Sequence, residues 1–582
     1  SCMIELFPME PLAEKLRAVM RGDVDDTPDV LATHSRDASL YDIRPSVVVY
    51  PKDTQDVSEL VRFVAEEKKS DPSIALTPRA AGTCMSGGSL TNAVSVDMMR
   101  SFGTIGEVHS GTPYSYLPHF PGARPVMIAG EVVVAPGVYY RDLEKKTLEK
   151  NLLLPCFTAS KSINAIGGMI GNNSGGELSL KYGKTEDYIK DMECVFADGS
   201  VETLREIPRR EAEARAAKPD FVGGVYKGVL ALCDKNRALI EAKRPQVSKN
   251  AAGYNLWNVL RHDKNTGEDT VDLSQLVVGS QGTLAVVTKA TMRLVENIED
   301  EKHSALLVVF ATDLARLGEI VDETLTVDPE AVEAYDDKTI MLAVRFWRGF
   351  IKKQGFWGAV KLGLQFLPEF GMMLGGMPKI VLLVECAGPD KAQVLARLEL
   401  LRKRLARFKE TKTRLVASHA AGEKYWTIRR DSFALLREHF QGKRTAPFID
   451  DVIVPPAKLP EFLPAIREIL ERHKLTYNIH GHAGNGNFHI IPLIENDARL
   501  SEPMIMAVSE EVYSLVIKLG GSITAEHNDG IIRTPFLADM FGPEMIGLFR
   551  EVKNIFDPQN ICNPGKKVGL TKGDIGKYLI RG

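Results

Sequence analysis

Thr77-Pro78-Arg79-Ala80-Ala81-Gly82-Thr83-Cys84-Met85-Ser86-Gly87-Gly88 is the stretch on which the fold turns. It follows an apolar run, Ile74-Ala75-Leu76, that reads as a strand, and it is dense in small residues. Small side chains let successive backbone N–H groups approach a pyrophosphate and form an anion-binding nest. One such loop is a weak signal, but two more follow. Ala165-Ile166-Gly167-Gly168-Met169-Ile170-Gly171-Asn172-Asn173-Ser174-Gly175-Gly176 is the second, and Val278-Gly279-Ser280-Gln281-Gly282-Thr283-Leu284 the third. Neither of the first two has the GxGxxG spacing of a Rossmann turn or the GxxxxGK[ST] of a P-loop, so the usual nicotinamide and ATP readings lack support.

Around these loops, Val47 to about Val295 alternates short β-branched runs (Val47 to Tyr50, Val132 to Val134, Leu276 to Val278) with helical stretches at Val57 to Lys68 and Tyr140 to Asn151. A domain of mixed helix and sheet is expected there. From about Glu296 to Leu500 strands are expected at Ser304 to Val309, Ile380 to Glu385 and Thr476 to His482. Helices are expected from Asp313, at Asp390 to Lys409, Lys424 to His439 and Leu459 to Lys474. This predicts antiparallel sheet with helices on one face. The last 80 residues or so read as mostly helical. The overall class is α+β.

Composition narrows the function. A chain of 582 residues exceeds one core. Hydrophobic content of 44% and charged content of 26% are those of a globular protein. A net charge of −3 and a pI near 6.5 give no reason to expect nucleic-acid binding. The seven scattered cysteines show no CxxC pair, so neither a zinc finger nor a cysteine-ligated iron–sulfur cluster is readable. Ser1-Cys2-Met3 reads as a cloning remnant, and Ile4 to Lys15, with three acids and two prolines, makes a poor signal peptide. No apolar run reaches the roughly 18 residues of a membrane span. A reducing, cytoplasmic compartment is expected. Between Lys338 and Pro368 six basic residues and no acidic one interleave with Phe346, Trp347, Phe350, Phe356, Trp357 and Phe366. That pattern suits peripheral contact with anionic lipid on the inner membrane face. It suits equally a helical pair packed on its own domain.

The chemistry concentrates near the C-terminus. His480-Gly481-His482-Ala483-Gly484-Asn485-Gly486-Asn487-Phe488-His489 places three histidines around a Gly-Asn-Gly turn, and a hairpin here brings His482 and His489 together. A divalent ion needs a third ligand. Glu526 in Thr524-Ala525-Glu526-His527-Asn528 is the best supplier, and successive residues of extended chain would point Glu526 and His527 to opposite sides. From composition alone, such histidines can equally be surface or hydrogen-bonded groups.

Taken in order, these segments resemble the vanillyl-alcohol-oxidase-type FAD-binding family, in the branch of D-lactate dehydrogenases, glycolate oxidase flavin subunits and D-2-hydroxyglutarate dehydrogenases. The resemblance runs from about Pro45 to Lys566. Pro78 to Gly88 resembles the family's PRGGGTxxxG loop, with Ala80 and Ala81 for glycines. Lys249…Gly253-Tyr254-Asn255-Leu256 resembles a further family segment. Gly279 to Leu284 resembles GSEGTLG, with Gln281 departing from glutamate. The resemblance implies a two-part FAD-binding domain (45–296) after an N-terminal helical segment (1–44). A cap or substrate domain follows (297–505), with a membrane- or partner-facing insertion at 338–378, and then a C-terminal helical segment (506–582) that completes the active site.

It further implies FAD contacts from Pro78, Arg79, Ala80, Ala81, Gly82, Thr83, Gly87, Gly88 and Ser89. Others are Pro155, Ser160, Gly167, Gly168, Asn172, Ser174, Gly175 and Gly176, with Gly282, Val287 and Asn563. Thr83 stands where some relatives attach flavin through histidine, so FAD is expected to be non-covalent. The 480–489 stretch resembles the HxGDGNxH signature and Ala525-Glu526-His527 the AEH signature. This implies His482, His489 and Glu526 as ligands of a divalent metal, zinc or manganese, His527 as base, and Asn487 beside the substrate. Asn485 and Asn528 replace the usual aspartate and glycine. Trp426-Thr427-Ile428-Arg429 resembles a W-x-x-R helix whose arginine, here Arg429, holds the substrate carboxylate in a bidentate fork.

The implied activity is oxidation of a small D-2-hydroxy acid, with electrons passing to a separate acceptor: an iron–sulfur subunit, an electron-transfer flavoprotein or a membrane quinone. Relatives selective for 2-hydroxyglutarate carry a lysine where Ile449 aligns, which favours a monocarboxylic substrate such as lactate or glycolate over that alternative. An alkyl-dihydroxyacetonephosphate synthase-like transferase is disfavoured because it carries a run of histidines where this chain has Ala525 to Asn528. A non-catalytic electron-transfer subunit is disfavoured by the intact His482, His489, Glu526 and His527.

Overall fold

The computed structural model describes residues 11–262, 267–297, 304–345, 376–417, 421–429 and 443–580, except the side chains of 342–345 and 498–500. The first half builds a two-part unit. In its first part, strands Val47–Tyr50 and Leu76–Arg79 lie parallel on either side of Val94–Asp97, and Asp23–Asp25 adds an antiparallel edge. Helix Thr54–Glu67 makes the crossover, capped by the Asp53 side chain accepting from the Asp56 N–H. Its Val57, Leu60, Val61 and Val64 pack on Val47, Val49, Val94 and Val96. The second part is an antiparallel sheet ordered Ile105–Tyr116, Val126–Val134, Val286–Glu296, Ile189–Val195, Val201–Arg205.

The small-residue loops lie where these parts meet. Leu276 to Val278, expected as a strand, is helical over Ser274–Val277. The Asp272 carboxylate accepts from the Ser274 N–H and hydroxyl, and this local cap overrides the β preference of a three-residue apolar run. The neighbouring strand begins at Leu76 rather than Ile74 and carries Pro78 and Arg79 to the loop.

The second half is dominated by an eight-stranded antiparallel sheet ordered Thr411–Val416, Ser304–Ala311, Ile380–Ala387, Ala331–Asp336, Thr476–His482, Asn487–Glu495, Lys443–Thr445, with Val452–Ile453 pairing on Asn487–Glu495. Side chains alternate between its faces. Leu307, Val309, Val332, Ala334, Leu382 and Val384 share a core with Ile320, Leu398 and Phe462 of helices Leu317–Leu325, Lys391–Leu405 and Leu459–Arg472. The opposite face carries an apolar end (Leu306, Val308, Phe310, Leu383, Trp426) and a polar end formed by Glu333, His480, His482 and His489. The expected one-sided arrangement is therefore incomplete: Ile340 of helix Asp337–Arg345 and the helical Tyr425 and Trp426 cover the apolar end of the opposite face, and only its polar end is left for chemistry.

Helix Ala498–Lys518 runs through residue 505, where a domain division was expected, and helix Pro543–Phe556 returns the chain to the first half. The insertion expected at 338–378 and most of the helix expected at Lys424 to His439 lie outside the described residues. No described helix is long and apolar enough to cross a membrane.

The C-terminal return is clamped by a buried ion pair. Lys553 Nζ reaches Asp557 Oδ2 at 2.6 Å and donates to the carbonyls of Thr283 (2.7 Å) and Cys562 (2.6 Å). Asn563, the next residue, donates to Gly88 O (2.8 Å) and Gln281 O (2.6 Å), tying two of the small-residue loops together. Removing one partner of a buried pair leaves the other uncompensated, at about 3–5 kcal/mol. Lys553→Met should lower unfolding stability by that amount in denaturant titration, whereas a change below about 1 kcal/mol would show that the clamp is dispensable.

Candidate active site

Two sites adjoin. The first is a cleft of about 750 Å³ between the two parts of the first unit. Of the residues expected to contact a flavin nucleotide, Pro78 to Thr83, Gly88, Ser89, Gly167, Gly168, Asn172, Gly282 and Val287 line it. Gly282 has φ +72°, and a Cβ there would sit 2.3 Å from Pro78 Cγ, so only glycine allows the first and third loops to close together. Gly87, Pro155, Ser160, Ser174, Gly175, Gly176 and Asn563 do not line the cleft. Gly87 abuts Tyr41 and Ile531, and Asn563 braces the loops from behind. Arg79 donates to the backbone carbonyl of Arg36 (2.6 Å), and its guanidinium lies against Gly82 of the loop, where a Cβ would meet Nη2 at 2.4 Å.

Sequence reasoning missed Met98, Ile170, Val277 and Ala285 as lining residues, since nothing distinguishes them from core apolar positions. Cys84 and Gln281 were visible as neighbours of glycines. Cys156 is buried in the main core, away from the cleft; the thiol that does line the cleft is that of Cys84, whose Sγ accepts from the Gly88 N–H (3.4 Å). The two departures at positions 281 and 528 meet at Asn172. Gln281 donates to Asn172 Oδ1 (3.0 Å) while accepting from the Gly530 N–H (2.8 Å), and Asn528 Nδ2 donates to Asn172 O (3.0 Å) and Gly279 O (2.9 Å). These amides join the cleft to the segment that carries the second site.

The second site forms on the polar end of the large sheet. The hairpin of Thr476–His482 and Asn487–Glu495 pairs His480 with His489 and His482 with Asn487, so all four side chains share one face. His482 Nε2, His489 Nε2 and Glu526 Oε1 lie 3.4, 3.3 and 3.4 Å apart pairwise. An ion about 2.0–2.1 Å from three tetrahedrally placed ligands sets those ligands about 3.4 Å apart. The triangle therefore has the size a divalent metal needs. The outward nitrogens are also fixed: His482 Nδ1 is 2.5 Å from Glu333 Oε1, and His489 Nδ1 is 3.1 Å from Asp450 Oδ1. Carboxylates behind ligand histidines set their tautomer and raise their basicity.

The electrostatics match. Burial disfavours a charged Glu526, but Lys249 and His482 outweigh it and hold the carboxyl well below its usual range. Burial likewise opposes a charged His489, yet Asp450 and Glu526 bring it up to about 10. These carboxylates make the triangle favourable to positive charge.

Asp451, His489, Glu526 and His527 also bring potential ligand atoms within 4.8 Å of one another. Asp451 is better explained as an anchor. Its Oδ2 accepts from Thr524 Oγ1 (2.7 Å) and from the backbone N–H groups of Ala525 (2.9 Å), Glu526 (2.8 Å) and His527 (2.7 Å), and its Oδ1 accepts from Asn487 Nδ2 (3.1 Å). His527 lies alongside, its ring 5.0 Å from that of His489 and its Nδ1 2.8 Å from Asp450 Oδ2 in a bent approach. Burial lowers the His527 pKa less than Asp451 and Asp450 raise it, so it sits above the ordinary histidine value.

Arg429 reaches the site through Glu333, with Nε and Nη2 each 3.0 Å from Oε2. Asn487 is engaged by the protein at both ends of its amide: Nδ2 donates to Asp451 Oδ1 and Val452 O, and Oδ1 is 3.4 Å from Lys249 Nζ. Ile449 is fully buried in the main core. Glu333, Asp450 and Asp451 escaped the sequence reading. Their signal was present: acids standing inside runs (Ala331 to Tyr335, Phe448 to Val454) that are otherwise apolar.

Residues 45–205 match the FAD binding domain family, and residues 300–567 match the C-terminal domain of the FAD linked oxidases. The chain belongs to the FAD-linked oxidases. It is 29% identical over 552 residues to a D-2-hydroxyglutarate dehydrogenase of Escherichia coli, covering 92% of this chain and 49% of that protein. A D-lactate dehydrogenase of Archaeoglobus fulgidus is 26% identical over 546 residues, with 94% of each chain covered. The glycolate oxidase subunit GlcD of Bacillus subtilis is 25% identical over 548 residues, with 93% of each covered. The chain thus spans about half the length of the D-2-hydroxyglutarate dehydrogenases it matches. Among solved structures, an alkyldihydroxyacetonephosphate synthase superposes with a TM-score of 0.62 at 16% identity, covering 97% of this chain and 88% of that one. p-Cresol methylhydroxylase superposes with a TM-score of 0.62 at 15% identity, covering 95% and 96%. These two likenesses establish the shared fold.

Asp451→Asn tests the anchor. An amide satisfies one side only: with its oxygen toward the four donors, its NH2 meets the Asn487 donor, and the reverse is worse. A buried donor left unmade costs about 1–3 kcal/mol, so unfolding stability should fall by at least that much; wild-type stability in denaturant titration would contradict the anchoring role.

Proposed function

We propose that the protein is an FAD-dependent dehydrogenase that oxidises a small D-2-hydroxy acid to the 2-oxo acid and passes the electrons to a separate acceptor. The observation that carries this reading is the triangle of His482 Nε2, His489 Nε2 and Glu526 Oε1, backed by Glu333 and Asp450, together with the cleft lined by the small-residue loops. The relatives named D-lactate dehydrogenase, D-2-hydroxyglutarate dehydrogenase and glycolate oxidase subunit support the substrate class. When bound, the flavin supplies a hydride acceptor and a divalent ion supplies Lewis acidity toward a hydroxyl.

The chain's own residues do the rest. His482, His489 and Glu526 hold the ion, with zinc or manganese the candidates for an N2O donor set. Asp450 orients His527 through Nδ1, which leaves Nε2 to take the proton of the substrate hydroxyl. Arg429, anchored by Glu333, contributes positive charge toward the substrate carboxylate. Asn487, its amide committed to Asp451, Val452 and Lys249, acts as a brace rather than a primary substrate contact. Flavin is held without a covalent bond: Thr83 in the cleft has no nucleophilic nitrogen, Cys156 does not line it, and burial pushes the thiol of Cys84, which does, above its usual range and away from the thiolate.

Anaerobic mixing of the flavin-loaded, metal-supplied protein with a panel of D- and L-2-hydroxy acids tests the reading. We expect the flavin absorbance to bleach with at least one D-acid. We further expect bleaching to slow by at least about 100-fold in His482→Ala. A flavin that no hydroxy acid reduces would remove the dehydrogenase assignment, and a His482→Ala variant at full rate would remove the metal.

A further inference from the structure

Lys249 is fully buried, and its ammonium touches three parts of the site at once. Nζ lies 3.0 Å from Glu526 Oε2, 3.4 Å from Asn487 Oδ1 and 3.4 Å from the carbonyl of Gly176. The two oxygens of Glu526 thus have separate tasks. Oε1 completes the triangle with His482 and His489, while Oε2 is turned toward Lys249. Lys249 is the only residue among those described that donates a hydrogen bond to Oε2. Without it a buried carboxylate oxygen would have no donor, and rotation about the last side-chain bond would no longer be fixed.

A lysine in this position is electrostatically paradoxical. A cation 3 Å from a ligand carboxylate opposes the arrival of a second cation at that carboxylate. Its presence makes sense if its gain lies in geometry: the carboxylate is ionised, oriented and neutralised before the metal arrives, so the ligand triangle exists in advance. The same ammonium holds Asn487, which in turn braces Asp451, the anchor of the segment carrying Glu526 and His527. Gly176 fits the same picture, since its carbonyl accepts from Lys249 and its neighbour Gly175 leaves a Cβ-sized space 3.1 Å from Glu526 Oε2.

We propose that Lys249 is a positioning residue that presets Glu526 as a single-oxygen metal ligand and locks it to Asn487. The inference rests on the metal reading above and adds a role for a residue outside the ligand set. Its two possible effects have opposite signs, which makes it testable. If Lys249 positions Glu526, its removal weakens metal binding by about 10–100-fold, the usual cost of losing a partner behind a ligand. If it merely adds charge, its removal tightens metal binding.

The experiment is equilibrium titration of the flavin-loaded protein with Mn2+, read by the electron paramagnetic resonance of free ion, for wild type, Lys249→Met, Lys249→Gln and Lys249→Arg. Retained flavin absorbance reports folding. We expect Lys249→Met to bind at least tenfold more weakly, with partial rescue in Lys249→Gln, which keeps a donor without the charge. Where Lys249→Met loses its flavin, the Lys249→Gln and Lys249→Arg affinities decide, both expected below wild type. Affinity unchanged or tightened in the folded variants overturns the positioning role. A wild type that binds no Mn2+ while Zn2+ fails to displace a chelator overturns the metal reading itself, and Lys249 with it.

Discussion

One carboxylate oxygen organises the reaction centre. Asp451 Oδ2 gathers the Thr524 hydroxyl and three consecutive backbone N–H groups, from Ala525 to His527. Asp451 itself is held at φ +66°, a left-handed conformation that a non-glycine residue adopts only under constraint. The result is a fixed turn from which Glu526 and His527 project. Asp450, one residue earlier, lies 3.1 Å from His489 and 2.8 Å from His527. A proposed metal ligand and the proposed base are thus positioned by adjacent acids of one strand end, and neither can move without the other.

Charge explains why so many ionisable groups tolerate burial there. Glu333, Asp450, Asp451 and Glu526 face Lys249, Arg429 and Arg533, all nine-tenths or more buried. Isolated charges at such depth would be prohibitively costly, so they persist only as a mutually compensating set. Four acids against three permanent cations leave a deficit of positive charge, consistent with the upward shift of His489 and with a site prepared for a divalent ion. His480, buried on the same sheet face, moves the opposite way: burial and the charge of Arg429 hold it well below the histidine range. The rings of His480 and His489 lie 5.5 Å apart, yet their surroundings push them in opposite directions.

Much of this was legible in the sequence because the signals were local. Small residues in loops, apolar alternation in strands, and histidines two residues apart on one strand each depend on the residue and its immediate neighbours. The hairpin Thr476–His482 with Asn487–Glu495 follows from a Gly-Asn-Gly turn between apolar runs. What stayed hidden depends on long-range pairing. Glu333 meets His482 across 149 residues, and Lys249 meets Glu526 across 277. No period or motif announces such contacts, and only an acid or lysine placed among apolar residues hints at them. Leu276 to Val278 failed for another reason: a three-residue apolar run fits a strand or a helix turn, and the Asp272 cap decided it. Ile449, in the bend between Lys443–Thr445 and Val452–Ile453, is fully buried in the apolar core, a placement that no local period of the sequence announces.

The account stands or falls on where a metal binds. Crystals of the flavin-loaded protein grown with Mn2+ and measured at a wavelength where manganese scatters anomalously give the answer directly. The account predicts one anomalous peak about 2.0–2.2 Å from His482 Nε2, His489 Nε2 and Glu526 Oε1, with Asp451 still bound to its four donors. A peak ligated by Asp451 and His527 instead, or an empty triangle at saturating Mn2+, would contradict it.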